Sequence, residues 1–141
     1  MPLTELDNLV KVGQLKREPA SSNEQKGLLA SAVAMLADAE RQNLAYESRF
    51  DLPYNAAHAF ALYALRRKGY RSENRYLVFQ CLEHTMGIPA ASWRVLAKAH
   101  EKRNRMEYEG SLDRDEQLLK EMIAAATKLQ AAIDAQSREA R

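Results

Sequence analysis

The stretch AHEKRNRMEYEG at positions 99–110 is the first place to look for chemistry, because it combines cations, carboxylates, an Asn and a Tyr. On a helix, residues three and four apart are neighbours, so several polar side chains share one face: His100, Arg103, Asn104, Glu107 and Tyr108. A guanidinium presents five donors in a rigid fork that suits phosphate, and an Asn amide adds a further hydrogen bond. The stripe is too polar for a plain core helix and predicts a binding or catalytic site.

The same stretch also has a purely structural interpretation. Glu101 with Arg105, or Arg103 with Glu107, can form ordinary i,i+4 surface ion pairs, each worth about 0.3–0.5 kcal/mol. Such pairs do not account for the succession of Arg103 and Asn104 with Tyr108 about one turn further on.

Basic residues form two clusters along the chain. One surrounds a predicted turn and the other lies on a predicted helix: Arg66, Arg67, Lys68, Arg71 and Arg75, and then Arg94, Lys98, Lys102, Arg103 and Arg105. If the fold brings the clusters together, they form a phosphate-facing patch. The alternative is solvated helix ends, since cations favour helix C-termini. The candidate RNA- or phosphate-binding residues taken from these clusters are Lys98, Lys102, Arg105, Arg67 and Arg71.

The elements that must position these residues are helices. Apolar residues recur at helical spacing, and no segment alternates with strand period over a useful length. We therefore expect an all-α fold, an antiparallel bundle of four to five helices. The predicted helices after the first run from a cap at 21–25 to about 43, then over 54–68, 75–86 and 90–109, with a last one capped by Ser111 or Asp113.

Residues typical of helix starts and ends support these bounds. Asp51 and Pro53 are typical of a helix start, because Asp can cap and Pro is tolerated in a first turn. Gly69, Gly87 and Gly110 fall at the proposed helix ends. The expected organisation is a short N-terminal helix and linker over 1–22, the bundle over 23–135 and a frayed C-terminal tail over 136–141.

Composition excludes several classes of protein. With 141 residues, 46% of them hydrophobic and 28% charged, the chain fits one globular domain. Cys81 is the only cysteine, so neither an intramolecular disulfide nor a cysteine metal cage can form. Neither a signal peptide nor an apolar run of membrane-spanning length is visible, so we expect a cytoplasmic protein without membrane contact.

The histidines do not predict a metal site. His58, His84 and His100 fall on three different predicted helices and lack metal-ligand spacing, so no metal and no cofactor is expected. His58 fits a core position better than a site, and His84 fits a helix end, where a protonated imidazole is favourable. Cys81, on an apolar stripe, fits a buried structural thiol.

Three segments, taken together and in order, resemble a known family. They are RFDLPYNAAH at 49–58, KGYR at 68–71 and KRNRMEY at 102–108. They look like the HEPN domains (higher eukaryotes and prokaryotes nucleotide-binding), and the resemblance covers about 23–135. It implies a helical bundle, usually a homodimer with the Arg motif of each subunit near the dimer axis. Many members are metal-independent endoribonucleases, including toxins of toxin–antitoxin pairs, whereas others bind RNA or nucleotides without cutting.

The chain departs from the catalytic members at one position. In those members an Arg, commonly followed by Asn or another polar residue, precedes a His by four to six intervening residues. Arg103 and Asn104 match the start, but Tyr108 stands where the His is expected. Tyrosine, with an ordinary pKa near 10, is a poor base at neutral pH. Either His100, one turn before Arg103, supplies the acid or base, or Tyr108 donates a hydrogen bond in a site that only binds.

The resemblance thus implies an RNA- or nucleotide-binding protein. One form of that function is the ribonuclease toxin of a toxin–antitoxin pair, with an antitoxin protein as its partner. The candidate catalytic residues are His100, Arg103, Asn104 and Tyr108. One alternative is a metal-independent endoribonuclease that uses His100. The other is a non-enzymatic interaction module whose basic groove takes an acidic protein partner.

Overall fold

The computed structural model describes residues 2–41, 43–110 and 114–139. The elements follow one another along the chain as α1 (Pro2–Lys11), β1 (Lys16–Arg17), α2 (Ser22–Asp38), α3 (Tyr46–Arg67), β2 (Tyr70–Arg71), α4 (Arg75–Gln80), α5 (Leu82–Thr85), α6 (Ala90–Glu109) and α7 (Glu116–Glu139).

The protein is an all-α helical bundle, as the sequence predicts. Helix α3 is its centre, because it packs against α2, α4, α6 and α7. Its fully buried side chains include Phe50, Phe60 and Leu65, and α7 contributes Met122 and Leu129 to the same core. In the part of the chain that the structure describes, no helix is long and apolar enough to cross a bilayer.

Helix α3 begins at Tyr46, eight residues before the predicted start, and Pro53 lies inside it. Pro53 has no N–H, so the carbonyl of Arg49 lacks its intrahelical donor. Three aromatic rings one turn apart offset this loss, because Tyr46, Phe50 and Tyr54 are all buried. Successive ring centroids among them lie 6.2 Å apart. Burial of this aromatic row therefore outweighs the local start signal at Asp51 and Pro53.

Other helix ends follow local capping chemistry. Asn74 caps α4 by accepting a hydrogen bond from the Leu77 N–H, and Gly110 ends α6 with φ +76°. The single helix predicted over 75–86 is interrupted at Cys81, which separates α4 from α5. The predicted caps of α7, Ser111 and Asp113, lie outside the described residues. Asp115 caps that helix instead, with Oδ1 accepting from Leu118 N at 2.9 Å.

The N-terminal segment, in which a short helix and a linker were expected, packs against the bundle. Leu6 and Leu15 are buried, and β1 pairs antiparallel with β2, with Lys16 opposite Arg71. This two-residue ladder has no counterpart in the sequence prediction. At the other end of the chain, α7 is helical to Glu139, beyond position 136, where we expected a frayed tail to begin.

Candidate functional site

The segments at 49–58 on α3 and 102–108 on α6 contact each other through Asp51 and Arg103. Tyr54 of α3 and His100 of α6 have nearly parallel rings, 6.5 Å apart at their centroids and inclined by 18°. The Tyr54 hydroxyl lies 2.9 Å from His100 Nδ1. Residues 46 positions apart in sequence therefore share one polar contact between α3 and α6.

Hydrogen bonds on both ring nitrogens fix the orientation of His100. Asn104, one turn further along α6, places its amide Nδ2 3.2 Å from His100 Nε2. An amide nitrogen only donates, so a neutral ring with its proton on Nδ1 and its lone pair on Nε2 satisfies both contacts. In that tautomer, Nδ1–H donates to the Tyr54 hydroxyl oxygen. The face shared by His100 and Asn104 is the one predicted from helical spacing.

Arg103 reaches back from α6 to Asp51 of α3. Its Nε lies 3.1 Å from Asp51 Oδ1, and the two side chains are 25% and 36% exposed. The contact is an ion pair without hydrogen-bond alignment, since among the described residues Asp51 Oδ1 has no hydrogen-bond partner although it is buried. Burial raises the pKa of Asp51, and the guanidinium of Arg103 opposes that shift. Asp51 thus holds Arg103 with a carboxylate that is only partly satisfied.

Three more side chains complete the site. Arg75 of α4 donates from Nη1 to Asn55 Oδ1 at 3.1 Å, and its guanidinium carbon lies 5.3 Å from the Tyr54 ring centroid. His58 is partly buried with its ring edge-on to Phe79, 6.0 Å between centroids.

Burial, with smaller contributions from the neighbouring Arg75 and His100, lowers the pKa of His58 to about 4, so His58 is neutral at neutral pH. We call the side chains linked by these contacts the His100 cluster: Asp51, Tyr54, Asn55, His58, Arg75, His100, Arg103 and Asn104.

The remaining predicted residues on α6 occupy other places. Lys102 points toward α7, with Nζ 3.9 Å from Asp115 Oδ2. Lys98 and Arg105 are exposed. Tyr108 belongs to α6, but its side chain lies outside what the structure describes, so its predicted role stays a prediction.

The structure does not bring Arg67 and Arg71 to the His100 cluster. Arg67 lies 16 positions after Asp51 on α3, about 24 Å along the helix at 1.5 Å per residue. Arg71 lies on β2 and pairs with Glu18. Only Arg75 of the first basic cluster reaches the site, because it begins α4 on the side that faces α3.

Four members of the His100 cluster were not among the site residues predicted from the sequence: Asp51, Tyr54, Asn55 and Arg75. The available signal was helical spacing, since Tyr54, Asn55 and His58 share a face within the 49–58 segment. Asp51 was interpreted as a helix cap, which hid its role opposite Arg103. The core interpretation of His58 holds for its contact with Phe79, but the same side chain also lies beside His100.

Cys81 fits the structural role predicted for it. Cys81 is 1% exposed, and burial raises the pKa of its thiol to about 11, which keeps it protonated and agrees with a structural role. Over the described ranges, no group of three or more His, Cys, Asp or Glu side chains could hold a metal ion.

Comparisons of the chain with models of protein families, with curated proteins and with solved structures found no match. The chemistry of the site is therefore inferred from its own side chains. A guanidinium held by one weakly satisfied carboxylate can exchange that carboxylate for a phosphate. A neutral imidazole one turn away can accept a proton.

Proposed function

We propose that the chain is a HEPN-like protein that binds RNA or a nucleotide through the His100 cluster. The observation that supports this proposal most directly is the contact between the segments at 49–58 and 102–108. Both contribute to the resemblance, and they supply Asp51 and Arg103 to one ion pair. The ribonuclease toxin of a toxin–antitoxin pair, with an antitoxin protein as partner, is one form of this proposal.

The charges of the His100 cluster favour an anion. Arg75 and Arg103 carry positive charge, whereas Asp51 is its single carboxylate. His58 is neutral at neutral pH, and a neutral His100 satisfies both of its hydrogen-bond contacts. A phosphate that contacts Arg103 replaces a carboxylate whose buried oxygen lacks an aligned donor. The exchange therefore costs few protein hydrogen bonds.

Removal of Arg103 is the direct test. Arg103→Ala is expected to weaken binding of single-stranded RNA and to lower the slope of log affinity against log salt by about one unit, because one phosphate contact is lost. The measurement is fluorescence anisotropy of labelled RNA at several salt concentrations. Circular dichroism should show unchanged helix content.

The matched control is Arg41→Ala, since Arg41 is exposed and pairs with Asp38, which is not a member of the His100 cluster. It should leave the RNA affinity unchanged. Asp51→Asn, which removes the competing carboxylate charge, should strengthen binding. Loss of helix content in Arg103→Ala, or equal affinity in Arg103→Ala and wild type, would refute the proposed role of Arg103.

A homodimer is part of the same proposal, with both Arg103 side chains near a shared cleft. Light scattering at micromolar concentration should give a mass of about twice the 16.0 kDa of one chain. A monomer at every concentration, or a dimer that buries Arg103 against apolar side chains, would contradict this arrangement.

The endoribonuclease alternative draws support from His100. A neutral imidazole positioned by Tyr54 and Asn104, one turn from Arg103, has the form of a general base beside a phosphate-binding cation. The acidic-partner alternative predicts no salt-dependent binding of single-stranded RNA, so the anisotropy experiment separates it from the other two.

A further inference from the structure

An exposed aromatic side chain lies on α4, next in sequence to a member of the His100 cluster. Tyr76 follows Arg75 and is 40% exposed; over the described residues, the other large apolar side chains exposed to that degree are Val12 and Val33, which are aliphatic. An aromatic ring with an exposed face can stack on a nucleobase, which an aliphatic side chain cannot do in the same way.

The ring of Tyr76 is held in place by its neighbours on α6. It meets Trp93 edge-to-face, with centroids 6.1 Å apart and planes inclined by 85°. Trp93 is itself buried, and its indole N–H donates to Glu83. The guanidinium carbon of Arg94 lies 5.8 Å from the Trp93 ring centroid. This fixed geometry lowers the entropy that a ligand must offset when it stacks on Tyr76.

A basic stripe leads from this aromatic pair along α6. Arg94, Lys98 and Arg105 are exposed and share one helix face with a single carboxylate, Glu101. They extend over about 16 Å at 1.5 Å per residue. We call these four residues the outer stripe. It lies on the solvent-facing side of α6, about 130° of helical rotation from His100 and about 170° from Arg103. A strand that follows this side of α6 therefore contacts the outer stripe and not Arg103.

We propose that single-stranded RNA lies along α6, with one base stacked on Tyr76 and phosphates on Arg94, Lys98 and Arg105 of the outer stripe. This inference rests on the proposed function and specifies its substrate class. In a duplex the bases stack on one another and their faces are covered, so a stacking platform selects single strands. An acidic protein segment needs the cations but not the ring face. Binding of such a segment would therefore not depend on the ring of Tyr76.

The test compares ring substitutions at Tyr76 on a labelled RNA of roughly twelve nucleotides, a length within common single-strand site sizes. Tyr76→Ala is expected to weaken binding about five- to hundredfold, the range for loss of one base-stacking aromatic. Tyr76→Phe should retain wild-type affinity because it keeps the ring. Tyr76→Leu should bind as weakly as Tyr76→Ala although it keeps apolar bulk.

Two further measurements separate stacking from general damage. Trp93 is the only tryptophan, so its fluorescence should change when a base stacks on its neighbour Tyr76, and Tyr76→Leu should abolish that change. Val33→Ala, at a side chain that is also 40% exposed, should leave affinity unchanged. Thermal unfolding of each variant identifies any loss of fold.

The outcomes are distinct. Wild-type affinity in Tyr76→Leu, or equal losses on single-stranded and duplex RNA in Tyr76→Ala, would overturn the stacking inference. If Arg103→Ala weakens RNA binding in the same assay and Tyr76→Ala does not, the proposed function stands and this inference fails. If wild type binds no RNA, both fail.

Discussion

Arg66→Met is expected to lower the free energy of unfolding by about 3 kcal/mol, the largest stability effect among these predictions. The Arg66 side chain is 1% exposed and forms a two-pronged contact with Glu24, from Nε to Oε2 and from Nη2 to Oε1. It also donates to the carbonyls of Glu18 and Pro19. Its loss leaves these acceptors without a cation. Removing one partner of a buried ion pair costs about 3–5 kcal/mol. Glu24 is about one-third exposed, so water solvates part of its unpaired charge and the lower value applies.

Thermal or urea unfolding measures this effect, and the midpoint should fall by roughly 10 °C. The control is the adjacent Arg67→Met, because Arg67 is exposed and surface substitutions usually stay within about 0.5 kcal/mol. Adding Glu24→Leu to Arg66→Met should recover part of the loss, since no unpaired carboxylate then remains at that position. Equal stability of Arg66→Met and wild type would show that the network is not needed for folding.

The same ion pair predicts a pH dependence. The hydrogen bond from Arg66 lowers the pKa of Glu24 below its ordinary value of 4.5. A depressed carboxyl pKa stabilises the folded state above that value, and this contribution is lost as the pH falls through the folded pKa. The stability difference between wild type and Arg66→Met should therefore shrink below about pH 4.5.

Local chemistry explains which parts of the fold the sequence predicted. Helix α6 has the predicted bounds, because a glycine at position 110 suits the left-handed residue that ends it. The contact of His100 with Asn104 follows from helical spacing alone. The predicted start of α3 was wrong. Asp51 and Pro53 are local signals for a helix start, but the burial of Phe50, which depends on the rest of the fold, extends the helix further toward the N-terminus.

Long-range pairing explains what the sequence could not show about the site. Asp51 and Arg103 are 52 positions apart, and no local pattern links them. Arg66 and Arg67 are adjacent cations, yet the first is buried among partners 42 to 48 positions upstream and the second is exposed. The sequence treated both as members of one basic cluster, since about 100° of helical rotation decides which one faces the interior.

The largest functional effect is expected at His100 if the endoribonuclease alternative holds. His100→Ala should slow RNA cleavage by roughly 10²–10⁴-fold, the usual size of a lost acid–base group. In that reaction the imidazole takes the proton of a ribose 2′-hydroxyl, the 2′-oxygen bonds to phosphorus, the bond from phosphorus to the 5′-oxygen breaks, and the leaving 5′-oxygen takes a proton from water. The product is a 2′,3′-cyclic phosphate. The 2′-hydroxyl must take the place of the Asn104 amide at His100 Nε2, which that amide occupies in the structure.

The assay is cleavage of labelled RNA in EDTA, which tests for a metal-independent reaction directly. His84→Ala is the matched control, because His84 lies on α5 outside the His100 cluster and should cleave at the wild-type rate. Tyr108→Phe should cost less than His100→Ala, since it removes one hydroxyl and keeps the ring. Cleavage that survives His100→Ala but disappears in Tyr108→Phe would move the essential proton-transfer role to Tyr108. Intact RNA binding without cleavage by purified wild type would make the His100 cluster a binding site only, in which the hydrogen bonds of Tyr54 and Asn104 hold a neutral imidazole against a bound phosphate or base.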